Sequence, residues 1–183
     1  WIIPSVVQAL AWKSILDPLF GGLNPLLMGI GLLGQPLSWL ADPNLAMASV
    51  IAVNVWAGIP FFTVNMLAGM ASIDDEMYEA ASIDGANAWE KFRNITLPSL
   101  RFVIAIATLL STIWTSTNLV IVQVLTNGGP ANTTQILPNL AYKYALLASR
   151  LGIGSAVNMV FFPLLAVFIF LLSRKMLSDA EQT

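Results

Sequence analysis

Polar side chains recur at helical spacing inside otherwise apolar stretches of this sequence. Asn54, Gly58 and Phe61 fall at i, i+4 and i+7, one face of a helix, and Ser111, Thr115 and Asn118 repeat that spacing. Trp1 and Ser5 form an i, i+4 pair near the start. Amide and hydroxyl groups of this kind can hydrogen-bond the hydroxyls of a neutral polyol, and the rings of Trp1 and Phe61 can stack on the flat face of a pyranose. The same residue types also act as glue between helices in a membrane, and spacing does not separate the two roles. Nothing in the set makes or breaks bonds. With no His and no Cys, the commonest general base and the usual zinc and haem ligands are missing. The chain itself is therefore expected to be no enzyme and to hold no metal or cofactor.

A second constellation lies in a charge-dense connector. Glu79, Ala80 and Ala81 are followed after three residues by Gly85, and after nine more by Ile95, with Leu97 and Pro98 closing the run. A helix from about Asp75 to Ile83 would put Ala80 and Ala81 where small side chains let another protein approach closely. Gly85 supplies the positive φ that ends such a helix and turns the chain. A second short helix is predicted over Ala86 to Phe92, with Pro98 marking the approach to the next apolar stretch. The expected product is a compact helix–turn–helix knob. Taken alone, Glu79 and the alanines would be a surface cap and helix filler; the complete spacing sets them apart.

The elements that must position these residues follow from composition. The chain is 57% hydrophobic and 10% charged, with mean hydropathy +0.76. A soluble domain carries about 25% charged residues, so too little polar surface is present to cover a water-soluble globule. A net charge of −2 offers no basic patch for nucleic acid. Charge-free runs of 31, 41 and 23 residues separate Asp42 from Asp74, Arg101 from Lys143, and Arg150 from Arg174. About 20 apolar residues cross a bilayer as a helix, and ionised side chains are costly there. Spans are predicted near 45–69, 101–125 and 152–173, with 1–16 as the end of an earlier span. The chain opens at Trp1 within apolar sequence, so an N-terminal part holding two further spans is expected upstream. Residues 17–44 read as a broken loop rich in Gly and Pro, and 126–150 open on Asn127-Gly128-Gly129-Pro130. A short surface helix is expected within Gln135–Leu147. Placing 70–100 and the tail inside puts Lys91, Arg93, Arg101, Arg174 and Lys175 on that side, against Lys13, Lys143 and Arg150 outside.

The spacing E-A-A-x3-G-x9-I-x-L-P matches the cytoplasmic loop of ABC importer permeases, and the chain resembles that family along nearly its whole length. Asn54-Val55-Trp56-Ala57-Gly58-Ile59-Pro60-Phe61 is similar to the span before the loop in carbohydrate-type permeases. Ile83-Asp84-Gly85-Ala86, Ile95-Thr96-Leu97-Pro98 and Leu125-Thr126-Asn127-Gly128-Gly129-Pro130 are similar to their counterparts too. Together they resemble the subunit of maltose and glycerol-phosphate importers that carries the Gly-Gly-Pro loop. The resemblance implies an all-α polytopic transmembrane helix bundle, a type I ABC importer permease core, as one permease domain over 1–183. It implies that Glu79, Ala80, Ala81, Gly85, Ile95, Leu97 and Pro98 dock an ATPase. It implies that Trp1, Ser5, Asn54, Gly58, Phe61, Ser111, Thr115 and Asn118 line the solute path, and that Gly128, Gly129 and Pro130 face an external solute-binding protein.

The implied partners are a second permease subunit, an ATP-binding-cassette ATPase dimer that holds ATP and Mg, the binding protein, a sugar and the lipid of a bacterial or archaeal inner membrane. Thr115 replaces an amide found in some relatives and Ala57 offers little side chain, which leaves the solute open. No G-x-x-x-x-G-K-[ST] loop occurs, so energy must come from another polypeptide. The alternative is a secondary transporter or channel for a small polar solute. That class wants ionisable groups within its spans, and the predicted span interiors carry none.

Overall fold

Helices account for every regular element of the computed structural model, which describes residues 2–180, the side chains of Phe161 and 175–180 excepted. In chain order they are α1 (Ser5–Ile15), α2 (Leu23–Gly29), α3 (Ala46–Met70), α4 (Asp75–Ile83) and α5 (Ala88–Lys91). A π-helical turn, Phe92–Thr96, joins α5 to α6 (Leu97–Thr117). Then come α7 (Val120–Leu125), α8 (Leu137–Tyr142), a second π turn (Lys143–Leu147) and α9 (Leu151–Ala180).

Three helices among the described residues are long and apolar enough to cross a membrane: Ala46–Met70, Ala88–Thr117 and Leu151–Arg174. The rest of the chain covers 17%, 17% and 0% of their most apolar stretches. A helix in a soluble protein hides its apolar face against a core, and these do not, so lipid or other subunits must cover them.

Helices α3 and α9 lie at two of the predicted spans, and the helix at a third has other bounds. Over residues 1–16, where the end of a span is expected, the helix is the 11 residues of α1. The span expected at 101–125 instead begins at Ala88 and stops at Thr117. It begins early because the π turn carries the helix past Pro98. A proline lacks an N–H and its ring pushes away the carbonyl four residues back, and the wider turn at Phe92–Thr96 makes room for that displacement. It stops early because the Asn118 side chain accepts from the Val120 N–H (3.0 Å) and turns the chain into α7.

Two compact units are formed. One takes the residues up to Gly58 together with Trp114–Leu165, the other Ile59–Ile113 and the residues from Ala166 on. In the first, Leu16, Val50, Val53, Ile121, Val122 and Leu125 make the core, with Trp12, Trp39 and Ile136 packed against it. Trp12 also meets Trp56 edge-on at 5.4 Å, so it is a packing residue. The 17–44 segment is gathered around the Asn24 side chain. Asn24, 2% exposed, donates to the carbonyls of Pro18 (3.2 Å) and Leu37 (2.9 Å) and accepts from Leu37 N–H (3.2 Å) and Trp39 Nε1–H (2.9 Å). Asn24→Ala is expected to cost about 3 kcal/mol, because it strands buried donors and acceptors; thermal melting in detergent measures it. Just ahead, the backbone N–H groups of Phe20 and Leu19 hold the Asp17 carboxyl below its ordinary range.

In the second unit, polar side chains around Pro60 serve the helix itself. Thr63 Oγ1 donates to the Ile59 carbonyl (2.8 Å) and Asn65 Nδ2 to that of Phe61 (2.8 Å). Pro60 deprives the Trp56 carbonyl of its helical donor, and these two bonds fall on other carbonyls, so they turn the polar side chains back onto the helix without replacing the missing donor. Near the end of α3, Gly69 lies so close to α6 that a β-carbon would stand 2.6 Å from Leu100 and 3.2 Å from Val103.

Candidate functional site: the helix–turn–helix loop and the polar faces

The connector between the first two membrane-length helices folds from strong local signals. Asp74 caps α4, its Oδ1 accepting from the Glu76 N–H (3.1 Å), and Asp75 and Glu76 in the first turn suit the positive end of the helix dipole. Gly85 follows α4 at φ +80°, with open space where a β-carbon would sit. Asn87 and Glu90 form a reciprocal capping box: Asn87 Oδ1 accepts from Trp89 N–H and Glu90 N–H (3.0 and 3.1 Å), and Glu90 Oε2 accepts from Asn87 N–H (2.7 Å). The second helix thus starts at Ala88, two residues later than predicted. Lys91 Nζ reaches back to Ser82 Oγ across the turn.

Glu79 and Ala80 are exposed, Ala81 and Ile95 half-buried, and Gly85, Leu97 and Pro98 exposed. Around them stand exposed apolar side chains: Ile83 at 87%, Met77, and Trp89 stacked on Phe92 at 5.6 Å. The arrangement is a braced knob with an apolar tip, and it can do mechanical work, not bond chemistry.

Of the residues predicted to line a path, Ser5, Asn54, Gly58, Thr115 and Asn118 belong to the first unit. Asn54 and Thr115 are brought together, with Asn54 Nδ2 3.5 Å from Thr115 Oγ1. The space beside Gly58 is open, and Ser5 sits half-buried at the start of α1. Asn118 does not continue the face of Ser111 and Thr115, because it lies past the end of α6 and spends its Oδ1 on Val120. Phe61 and Ser111 belong to the second unit, where Phe61 meets Phe62 edge-on at 5.6 Å. Trp1 lies outside the described residues.

The Gly-Gly-Pro segment is tied to polar partners that spacing did not suggest. Thr134, fully buried, donates to the Gly129 carbonyl and accepts from the Thr126 hydroxyl, both at 2.7 Å. Behind Gly128 runs a relay: Lys143 Nζ donates to Gln135 Oε1 (2.7 Å), Gln135 to Asn139 Oδ1, and Asn139 Nδ2 to Gln123 Oε1 (2.6 Å). Asn139 is 0% exposed, and Gly128 is itself buried at φ +84°. Beside the break after α6, a cavity of about 600 Å³ opens among Ser116, Leu119, Pro138, Tyr142, Asn158 and Phe162. Sequence reasoning assigned Tyr142 and Asn158 no role; a lone amide at position 158 in a charge-free run was the one available signal.

The family model described as "Binding-protein-dependent transport system inner membrane component" matches residues 1–180. The chain belongs to this family. Among its relatives, a probable ABC transporter permease protein of Brucella suis biovar 1 is 39% identical over 168 residues, which is 92% of this chain and 58% of that protein. The trehalose/maltose transport system permease protein MalF of Thermococcus litoralis is 37% identical over 92% of this chain and 56% of its own length. The chain thus spans a little over half the length of these relatives. The crystal structure of a bacterial ABC transporter involved in the import of the acidic polysaccharide alginate superimposes with TM-score 0.79 at 24% identity, over 96% of this chain and 61% of that one. At that identity the likeness carries the fold alone.

As an inner-membrane component of a transport system, the chain has a use for three helices that its own residues leave uncovered.

Proposed function

We propose that this chain forms the membrane-embedded core of a permease subunit in an ATP-driven importer of a sugar or oligosaccharide. The observation that carries the reading is the knob itself: two capped helices turning at Gly85, the first following α3 after four residues and the second continuous with α6, with the full E-A-A spacing across them. An ATPase dimer supplied in trans docks on its apolar tip from the cytoplasm. ATP binding closes that dimer, the knob follows, and the chain with a second permease subunit opens toward an extracytoplasmic solute-binding protein. Hydrolysis returns the pair to the inward-facing state. The Gly128-Gly129-Pro130 loop lies on the outside, near the binding protein.

A sugar cargo is supported from two sides. Relatives are named for trehalose/maltose, maltose/maltodextrin and diacetylchitobiose uptake. The paired Asn54 and Thr115 offer neutral hydrogen-bonding groups, and a neutral ligand needs no buried charge. Reconstitution in proteoliposomes with the ATPase and the binding protein tests the reading: sugar should accumulate only with ATP inside the ATPase-bearing compartment. Uptake that persists without the ATPase and follows an ion gradient would move the chain to the secondary-transporter class.

Asn118 separates ligand contact from helix capping. Serine can take over the cap to Val120 but offers no amide donor. Asn118→Ser is expected to assemble normally and raise the KM for sugar about fivefold, the equivalent of one hydrogen bond. Unchanged transport kinetics would leave Asn118 with the capping role alone.

A further inference from the structure

We propose that the hydrogen bond between Tyr78 and Thr96 is the positioning contact through which α4 moves the membrane-spanning helix. The inference rests on the importer function proposed above and adds to it the residues that make loop and span a single lever.

The two helices of the knob are connected to the membrane in different ways. α5 runs through the π turn into α6 as one helix, Ala88–Thr117, so displacement of α5 reaches α6 along the backbone by way of that turn. α4 has no such continuity, because the turn at Gly85 separates it from α5. Yet Glu79, Ala80 and Ala81 lie on α4, together with the exposed Met77 and Ile83, so a docking partner pushes on α4 as well.

Side-chain bonds from Ser82 and from Tyr78 tie α4 to the continuous helix. Lys91 to Ser82 is exposed, and an ammonium there exchanges freely with water. Tyr78 Oη to Thr96 Oγ1, at 2.8 Å, is the sheltered one: Thr96 is 8% exposed and Tyr78 half-buried. In such surroundings an unmade hydroxyl bond is expensive, so the pair stays closed.

The place where Tyr78 takes hold decides its role. Thr96 is the last residue of the π turn, two positions before Pro98. This is the part of the helix with poorer hydrogen-bond geometry and a missing donor, where bending would be absorbed instead of transmitted. Tyr78 braces that turn from outside. With the brace present, α4 and the start of α6 move together; without it, α4 can shift while the π turn flexes.

The test uses the complete importer in proteoliposomes, with sugar uptake and ATP hydrolysis read separately for Tyr78→Phe, Thr96→Val, Thr96→Ser and the Phe/Val double variant. Tyr78→Phe and Thr96→Val are each expected to lower sugar moved per ATP about fivefold. Membrane insertion, co-purification with the ATPase and hydrolysis itself should persist. Thr96→Ser, which keeps the hydroxyl, should restore the ratio, and the double variant should be no worse than either single one. An unchanged ratio in the Phe and Val variants overturns the proposal. So does a Ser variant as poor as Val, which would make the threonine methyl the working part, or a loss of assembly that parallels the loss of uptake in both single variants. Absence of ATP-dependent uptake in the wild-type importer would instead strike the function proposed above, and this inference with it.

Discussion

Gly85→Asp is expected to abolish sugar uptake while ATP hydrolysis continues and the chain still inserts in the membrane. Gly85 is held at φ +80°, a conformation that costs a residue with a β-carbon about 1–2 kcal/mol. Asp tolerates that region better than most residues, so backbone strain is the smaller part of the effect. Apart from its two chain neighbours, nothing lies within 4 Å of the missing β-carbon, so the knob itself has room for the side chain. The larger part falls on docking. Gly85 is exposed at the turn between the two helices that present Ile83 and Trp89, and a carboxylate there meets the partner where apolar contact is needed. Gly85→Asn, equally tolerant of positive φ and uncharged, should fall between wild type and Asp. The measurements are uptake, ATPase rate and membrane fraction on the same preparations. Full transport by the Asp variant would sink the docking role of the loop.

Gly128→Val should unfold the loop around Gly128, with a local cost of about 3–5 kcal/mol. Here space, and not only conformation, is the obstacle. A β-carbon at Gly128 would stand 2.7 Å from Asn139 Oδ1, 2.8 Å from Gln135 Oε1 and 3.1 Å from Lys143 Nζ, and φ is +84°. The relay from Lys143 to Gln123 cannot yield without stranding Asn139, which is fully buried. Hydrogen exchange should therefore accelerate across residues 123–143, well beyond the substituted position. Gly129→Ala is the control: its β-carbon would meet only the Thr126 carbonyl, at 3.3 Å, and φ is not positive. Mild effects from both substitutions would show that the loop does not depend on the relay. Strong protection loss from Gly128→Val alone would recast Gly128 as a structural residue, with Pro130 and its exposed neighbours left to face the binding protein.

Much of the molecule was legible in local terms. Long charge-free runs mark α3 and α9 because burying an ion in lipid is costly whatever the fold. Asp74, Gly85 and the Asn87–Glu90 box act within four residues of themselves, and α4 ends at Ile83 as the turn at Gly85 predicts. The E-A-A spacing, a property of order along the chain, identified the loop without any contact being known.

What spacing could not supply depends on groups meeting across the fold. The end of α6 at Thr117 looked like the middle of an apolar run, since Leu119 to Leu125 are as hydrophobic as what precedes them; only the Asn118 side chain, turned onto Val120, decides the break. The passage of one helix through Pro98 depends on a π turn whose residues carry no distinctive composition. Tyr78 and Thr96 are 18 positions apart, Asn139 and Gln123 are 16, and Asn54 and Thr115 are 61. Each is an unremarkable polar residue alone. The sequence by itself determined that α3 and α9 are long and apolar enough to cross lipid and that the chain turns at Gly85, because those follow from solvation and backbone sterics. Only tertiary structure decided which polar groups pair, since a hydrogen bond needs both partners within about 3 Å, and no linear pattern encodes that distance.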